Sequence, residues 1–123
     1  MAERYYFDGG CRPNPGPIEV AVARGANVTI RTGLPDGDSS EAEWRALLLA
    51  VELADEDGAR DVTFVGDNAM VVAQARGKAK CSARLQPFLA TFQKETADFD
   101  RVQVRYAPRS KNPAGAALDR RLR

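Results

Sequence analysis

Three strand-like segments near the start of the chain constrain the fold most, because helical and strand patterns alternate after them. Residues 3–8 are rich in aromatic side chains, and residues 18–24 and 27–32 alternate apolar and polar side chains on either side of Gly25. Two alternating segments separated by a short turn indicate a β-hairpin. The three segments therefore predict an antiparallel meander, in which the glycine- and proline-rich residues 9–17 make a tight connection.

The rest of the chain contains four helical patterns and two further strand patterns. Apolar residues at helical spacing predict helices over residues 41–56, 68–76, 84–99 and 112–122. Apolar runs rich in β-branched residues predict strands over residues 61–67 and 101–107. Ser39 or Ser40 supplies the N-cap of the first helix. The order β-β-β-α-β-α-α-β-α is typical of a mixed α/β sheet with helices on its faces.

The composition narrows the possible chemistry. The chain has no histidine, which excludes catalytic triads and zinc sites built on histidine, so that acid/base or metal chemistry must depend on carboxylates. A length of 123 residues suits one domain over residues 1–123. The chain lacks a run of about 20 apolar residues, which a membrane span requires, and it lacks a signal-peptide pattern. It has two cysteines, which we expect to be free thiols. We therefore expect a cytoplasmic protein without a membrane partner.

The charges divide the chain into two parts. Up to residue 75 there are 6 Lys/Arg and 13 Asp/Glu, a net charge of −7, and from Arg76 onward there are 12 and 4, a net charge of +8. An acidic part that binds cations and a basic part that binds a polyanion suit a protein acting on nucleic acid. Two solvated surfaces of opposite sign are the alternative.

Three acids stand at positions where side chains of a mixed sheet converge. Asp8 and Asp67 end predicted strands, and Glu43 lies in the first turn of the first long helix. Side chains at strand ends line the crevice in which such sheets bind ligands. A cluster of carboxylates is repulsive without a cation, and hard divalent ions prefer oxygen ligands. The alternatives are a turn at Asp8, a capping box between Ser40 and Glu43, and a helix cap at Asp67 and Asn68.

The segments around these acids resemble three signatures of the type 1 ribonuclease H family. YYFDGGCRPNPGP is similar to its first-strand signature, SSEAEWRALLLAVELA to its second and FVGDNAMVV to its third, in the expected order. The resemblance implies a ribonuclease H-like α/β fold. In that fold a five-stranded mixed sheet, with three antiparallel strands followed by two parallel strands, carries helices on both faces.

The resemblance also implies an endonuclease that hydrolyses the RNA strand of RNA/DNA hybrids with two divalent ions, Mg²⁺ or Mn²⁺. Asp8, Glu43 and Asp67 are then both the catalytic residues and the metal ligands. A monomer without an organic cofactor is expected. The alternative is a non-catalytic or weakly active module that binds the hybrid.

One family carboxylate is missing from this chain. The family pattern Asn-x-x-Ala-Asp corresponds to residues 112–116, which places Ala116 where an aspartate is expected. Asn112 is the first candidate to replace this acid, and Asp119 is the second. The alternatives are an N-cap role for Asn112, followed by Pro113, and pairing of Asp119 with arginines at the surface.

Further residues are candidates for contacts with the hybrid. Cys11 and Asn14 match family positions near its minor groove, although both also suit a turn. Ser39 and Ser40 replace a pair of asparagines, and their hydroxyls are able to bond sugar or phosphate. A short basic loop replaces the basic protrusion of many family members, and it is alternatively a solvated turn. The predicted cationic contacts are Lys78, Lys80 and Arg109.

Overall fold

The computed structural model describes residues 2–121, and its elements follow the order that the sequence predicts. The strands are β1 (Glu3–Cys11), β2 (Gly16–Arg24), β3 (Asn27–Gly37), β4 (Asp61–Gly66) and β5 (Arg101–Tyr106). The helices are α1 (Ser39–Glu56), α2 (Ala69–Ala75), α3 (Gln86–Glu95) and α4 (Pro113–Arg121), with a 3-10 turn at Arg109–Lys111. Residue 122, the last of the predicted final helix, lies outside the described residues.

The strands form one sheet in the order β3-β2-β1-β4-β5. β2 is antiparallel to β1 and to β3, whereas β4 is parallel to β1 and to β5, which confirms the predicted mixed sheet. Tyr6 of β1 is opposite Val65 of β4. Asp8 and Asp67 each follow two residues later, so that the two acids lie at the same edge of the sheet.

Helices cover both faces of the sheet, as predicted. Val20 and Val22 of β2 pack into the main core beneath α1, which also contains Trp44 and Phe64. The alternate residues of β2 point to the opposite face, where α4 packs against them. That second cluster consists of Ala21, Ala23, Ala114 and Leu118. Small alanine side chains on β2 allow α4 to approach the sheet closely, so that α4 also contacts β1.

A buried polar contact lies within the main core. The indole nitrogen Nε1 of Trp44 donates to Oε1 of Gln74 at 3.0 Å, and both residues are buried. The amide of Gln74 donates in turn to the carbonyl of Lys80 at 3.3 Å. This chain of bonds links α1, α2 and the loop that follows α2.

Some predicted boundaries were wrong. β1 continues to Cys11 because Gly10 and Cys11 still pair with β2, although the sequence indicates a turn there. α1 has Asp38 as its N-cap instead of a serine, because Oδ1 of Asp38 accepts the backbone N–H of Glu41 at 3.0 Å. α3 is shorter than predicted and has a proline in its first turn, as expected.

Two further predictions concern the thiols and membranes. Cys11 and Cys81 are free thiols, as expected. Among residues 2–121, no helix combines the length and the apolar character required to cross a membrane.

Candidate active site

The structure brings the three acids predicted from the sequence together. Asp8, Glu43 and Asp67 each place one carboxylate oxygen within 4.8 Å of the others. Asp8 is 2% exposed and Glu43 is 4% exposed, so that little solvent screens their charges. Carboxylates this close and this buried require a proton or a cation between them.

The close approach of β1 and α1 places Glu43 beside Asp8. The backbone N–H of Gly9 donates to Oε1 of Glu43 at 2.7 Å. A Cβ atom at position 9 would overlap the carbonyl oxygen of Ala42, so that only glycine permits this approach. The Gly-Gly pair after Asp8 therefore serves helix packing at Gly9, which turn patterns alone do not predict. The bond from Gly9 also excludes the capping box between Ser40 and Glu43.

The electrostatics of the cluster favour binding of a cation. Burial, reinforced by the neighbouring Asp8 carboxylate, raises the pKa of Glu43 to about 9. Burial also raises the pKa of Asp8, with Asp67 acting in the same direction and Arg109 against it. The second oxygen of Glu43, Oε2, is buried and has no hydrogen-bond partner. An all-oxygen donor set with an unpartnered buried oxygen fits a hard divalent ion such as Mg²⁺ or Mn²⁺.

Arg109 lies directly against the acidic cluster. Its Nη1 donates to Oδ1 of Asp8 at 3.0 Å and to Oδ2 of Asp67 at 3.3 Å. Its Nη2 donates to Oδ1 of Asp119 at 2.9 Å. These carboxylates raise the pKa of Arg109 further, although its partial burial acts against the increase. The sequence suggested Arg109 only as a contact to the hybrid, and no sequence signal links it to Asp8, which is 101 residues away.

Asn112 is buried beneath the cluster and is oriented by backbone groups. Its Nδ2 donates to the carbonyl of Phe7 at 3.0 Å and to Oδ2 of Asp67 at 2.9 Å, while its Oδ1 accepts the N–H of Ala114 at 3.1 Å. The N-cap alternative is therefore confirmed. The oxygen of the amide faces α4 and its N–H group faces Asp67, and the role of Asn112 as a replacement for the missing metal ligand stays a prediction. Asn112 positions Asp67.

Asp119 contacts the cluster only through Arg109. It is about half-exposed, and the alternative that it pairs with an arginine is correct, with Arg109 as the partner. Ala116, where the family pattern places an aspartate, is exposed. A Cβ atom added to Gly115 would lie 3.2 Å from Nη1 of Arg109 and 3.5 Å from Oδ2 of Asp67. The residue of α4 that faces Asp67 is therefore a glycine, and the side chain of Arg109 lies beside it.

Comparison with known proteins agrees with this geometry. A family described as reverse transcriptase-like matches residues 21–119, which is most of the chain. Ribonuclease HI of Halobacterium salinarum is 29% identical over 119 residues, and the match spans 92% of this chain and 60% of that protein. The chain belongs to the reverse transcriptase-like family, as a type 1 ribonuclease H family member.

Two solved structures and a second relative extend the comparison. The crystal structure of ribonuclease H1 from H. salinarum NRC-1 superposes with a TM-score of 0.85 at 27% identity, covering 96% of this chain and 94% of that one. The N-terminal ribonuclease H domain of a Mycobacterium tuberculosis protein gives a TM-score of 0.78 at 25% identity, with coverages of 94% and 95%. The putative hydrolase EbsB of Enterococcus faecalis is 26% identical, over 95% of this chain and 90% of its own length.

Three predicted hybrid-binding residues besides Arg109 lie in the cavity that contains Asp8. Sγ of Cys11 donates to Oδ1 of Asn14 at 3.4 Å, and Nδ2 of Asn14 donates to Oγ of Ser39 at 2.7 Å. All three line a cavity of about 260 Å³ together with Asp8 and Arg109. Ser40, also predicted, is half-buried in the first turn of α1 and does not line this cavity.

The two lysines predicted to bind the hybrid lie elsewhere. Lys78 lines a separate groove along β5, and the contact that the structure gives Lys80 is through its backbone carbonyl, which accepts from Gln74. Neither lysine lines the cavity that contains Asp8. The structure therefore does not bring the basic loop to the acidic cluster.

Proposed function

We propose that the protein is an endonuclease that hydrolyses the RNA strand of RNA/DNA hybrids with divalent metal ions. The observation that carries the proposal is the meeting of Asp8, Glu43 and Asp67 within 4.8 Å at one sheet edge. This arrangement occurs in a chain of the type 1 ribonuclease H family. Because the chain spans only 60% of the archaeal ribonuclease HI, its activity, substrate and partners are all part of the proposal.

The three carboxylates would bind the ions, with Mg²⁺ or Mn²⁺ as candidates and two ions expected in the substrate complex. When bound, such ions activate a water for in-line attack on phosphorus and stabilise the departing oxygen. Neighbouring groups of the chain hold these carboxylates in position. The N–H of Gly9 orients Glu43, and the amide of Asn112 orients Asp67.

Arg109 supplies the only cationic side chain that contacts the acids of this cluster in residues 2–121. Its guanidinium is half-exposed, and it can turn toward a phosphate oxygen of a bound strand, with which it forms paired hydrogen bonds. In the same cavity Asn14 and Ser39 offer polar groups for sugar and phosphate. The 2′-hydroxyl of RNA is the group by which such contacts distinguish RNA from DNA.

A non-catalytic module that binds the hybrid is the second candidate function. The observation that favours it is the absence of a carboxylate at Ala116, combined with the contact of Arg109 on the remaining acids. The three clustered acids, of which Asp8 and Glu43 are buried, argue against it, because a pure binding surface has no use for negative charge facing a phosphate backbone. The two functions differ in one observable, which is cleavage.

A gel assay with an end-labelled RNA strand in a blunt hybrid separates these functions. We expect the wild type to cut the RNA with Mg²⁺ or Mn²⁺ and to leave it intact in EDTA. We expect Asp8→Asn to abolish cleavage while the variant still binds the hybrid. Asp98→Asn, which removes an exposed acid after α3, is the matched control and should cut like the wild type. If the wild type binds the hybrid and cuts it with neither ion, the binding module is correct instead.

A further inference from the structure

A second groove runs along the outer edge of β5, the last strand of the sheet. It has a volume of about 750 Å³ and lies between β5, the end of α2 and one side of α3. Three cationic side chains line it, Arg76, Lys78 and Arg105, and none of its lining residues is an acid. The groove is therefore positively charged, unlike the cavity that contains Asp8.

These three cations are not neutralised within the described part of the protein. None of them forms a salt bridge among residues 2–121, whereas Arg24, Arg60, Arg84, Arg109 and Arg121 all do. Arg105 bonds instead to the side-chain oxygen of Gln103 at 3.1 Å. Arg76 and Lys78 follow the C-terminus of α2, where cations complement the helix dipole. That explanation does not apply to Arg105, which lies on a strand.

The groove also contains an exposed aromatic side chain. Tyr106, the last residue of β5, is 54% exposed and lines the groove beside the cations. In the β4–β5 register Tyr106 is opposite Gly66, the residue directly before Asp67. Because neighbouring strands are about 4.8 Å apart, one end of the groove lies next to the acidic cluster.

Unpaired cations together with an exposed aromatic ring are the features with which proteins bind single-stranded nucleic acid. The cations follow the phosphates, and the ring stacks on a base. The volume is that of a small-ligand site, which admits individual nucleotides and not a whole duplex. An acidic peptide would satisfy the cations but would leave the aromatic ring without a stacking partner.

We propose that the β5 groove binds a single-stranded extension of the hybrid substrate and guides it away from the acidic cluster. The inference rests on the proposed function, because it takes the hybrid to be the ligand of the neighbouring site. It assigns a binding role to Arg105 and Tyr106, for which the sequence gives no such indication, and to Arg76, which adjoins the basic loop that the sequence suggests for hybrid binding. It also gives Lys78 a place in nucleic-acid binding that is separate from the cavity lined by Asp8.

Fluorescence anisotropy in EDTA tests this role without cleavage. The probes are a labelled blunt RNA/DNA hybrid and the same hybrid with a single-stranded DNA extension at the 5′ or the 3′ end. An extension should tighten binding to the wild type by about tenfold, the effect of stacking one base. Tyr106→Ala should lose most of this gain and leave binding of the blunt hybrid within about twofold of the wild type.

A triple variant tests the cations. Arg76→Ala, Lys78→Ala and Arg105→Ala together should remove the gain and reduce the salt dependence of binding the extension by about two units of log K per log salt. The control replaces three exposed cations elsewhere on the surface with alanine, namely Arg4, Arg31 and Lys94. The control should keep the gain, because it removes the same charge from other places.

Four results would overturn the inference. The first is that neither extension increases the affinity for the wild type, and the second is that the control triple variant loses as much of this increase as the groove variant. The third is that the groove variants weaken the binding of blunt and extended hybrids equally. The fourth is that polyglutamate displaces the extended hybrid as readily as an oligonucleotide does. The last result would identify an acidic peptide as the better ligand. Failure of the proposed function is seen separately, as a blunt hybrid that remains uncut with Mg²⁺ or Mn²⁺.

Discussion

Replacing Arg109 with glutamine should tighten the binding of a divalent ion to the acidic cluster. The guanidinium donates to Asp8 and to Asp67, which are two of the three carboxylates that an ion would use. An ion and Arg109 therefore compete for the same oxygens. Asp119, which accepts from the other arm of the guanidinium, offers Arg109 a position away from the ion.

The size of this competition follows from the contacts. A hydrogen bond to a charged group contributes about 1.5–3 kcal/mol, and Arg109 makes two such bonds to the cluster. The Arg109 side chain is 50% exposed, so that solvent screens the interaction. We therefore assign to the two bonds together the free energy of one unscreened bond, about 1.5–3 kcal/mol. This value corresponds to an increase of about 10- to 150-fold in the affinity of Arg109→Gln for the ion.

Isothermal titration calorimetry with Mn²⁺, at fixed ionic strength and without nucleic acid, measures this affinity. Arg60→Gln is the matched control, because it removes a cation that pairs with Asp55 at the opposite end of the sheet. An affinity of Arg109→Gln equal to or below that of the wild type would refute the competition. An equal increase in Arg60→Gln would show that net charge alone is responsible.

Three further predictions concern the residues around the cluster. Gly9→Ala should destabilise the fold by about 3 kcal/mol and abolish cleavage, because the added methyl group overlaps a backbone carbonyl of α1. Gly10→Ala is the control and should be folded and active, because the space around Gly10 is open. In EDTA the melting temperature of the wild type should fall as the pH rises from 6 to 9. The pKa of Glu43 is about 9 in the folded state and 4.5 in the unfolded state, so that unfolding releases its proton in this range and is favoured by rising pH. Glu43→Gln should reduce this dependence. Asn112→Asp should lower the melting temperature in EDTA, because it places a carboxylate against Asp67, and Mn²⁺ should restore part of the loss.

The results that would contradict these predictions are specific. Equal melting temperatures for Gly9→Ala and Gly10→Ala would remove the packing role of Gly9. A pH dependence that is unchanged in Glu43→Gln would mean that Glu43 does not titrate in this range. An Asn112→Asp variant as stable as the wild type in EDTA would show that the Asn112 amide is not needed beside Asp67.

The sequence was sufficient to predict the three acids because regular elements position them. Period-two alternation locates the strand ends that carry Asp8 and Asp67, and helical spacing places Glu43 one turn into α1. The parallel pairing of β1 with β4 then puts the strand ends at one edge. The strand ends and the helical spacing are repeating patterns that the sequence shows directly, whereas the pairing of β1 with β4 is a contact between distant segments that no such pattern shows.

The contacts of Arg109 and Asn112 could not be predicted in this way. Both residues lie between β5 and α4, where no periodicity fixes the path of the backbone. The orientation of the Asn112 amide depends on the carbonyl of Phe7, 105 residues away. The choice of Asp38 over the adjacent serines as N-cap is similar, because all of these residue types are good caps and only the backbone geometry decides.

Cleavage of the RNA strand by the wild type and by Asp67→Asn tests the central claim most directly. The assay uses a blunt hybrid with Mn²⁺, and single-stranded RNA and duplex DNA of the same sequence are tested in parallel. We expect the wild type to cut only the RNA of the hybrid and Asp67→Asn to leave it intact while still folded. Cleavage by Asp67→Asn at the wild-type rate, or an intact hybrid bound to the wild type in the presence of Mn²⁺, would contradict the assignment of Asp8, Glu43 and Asp67 as the catalytic metal ligands.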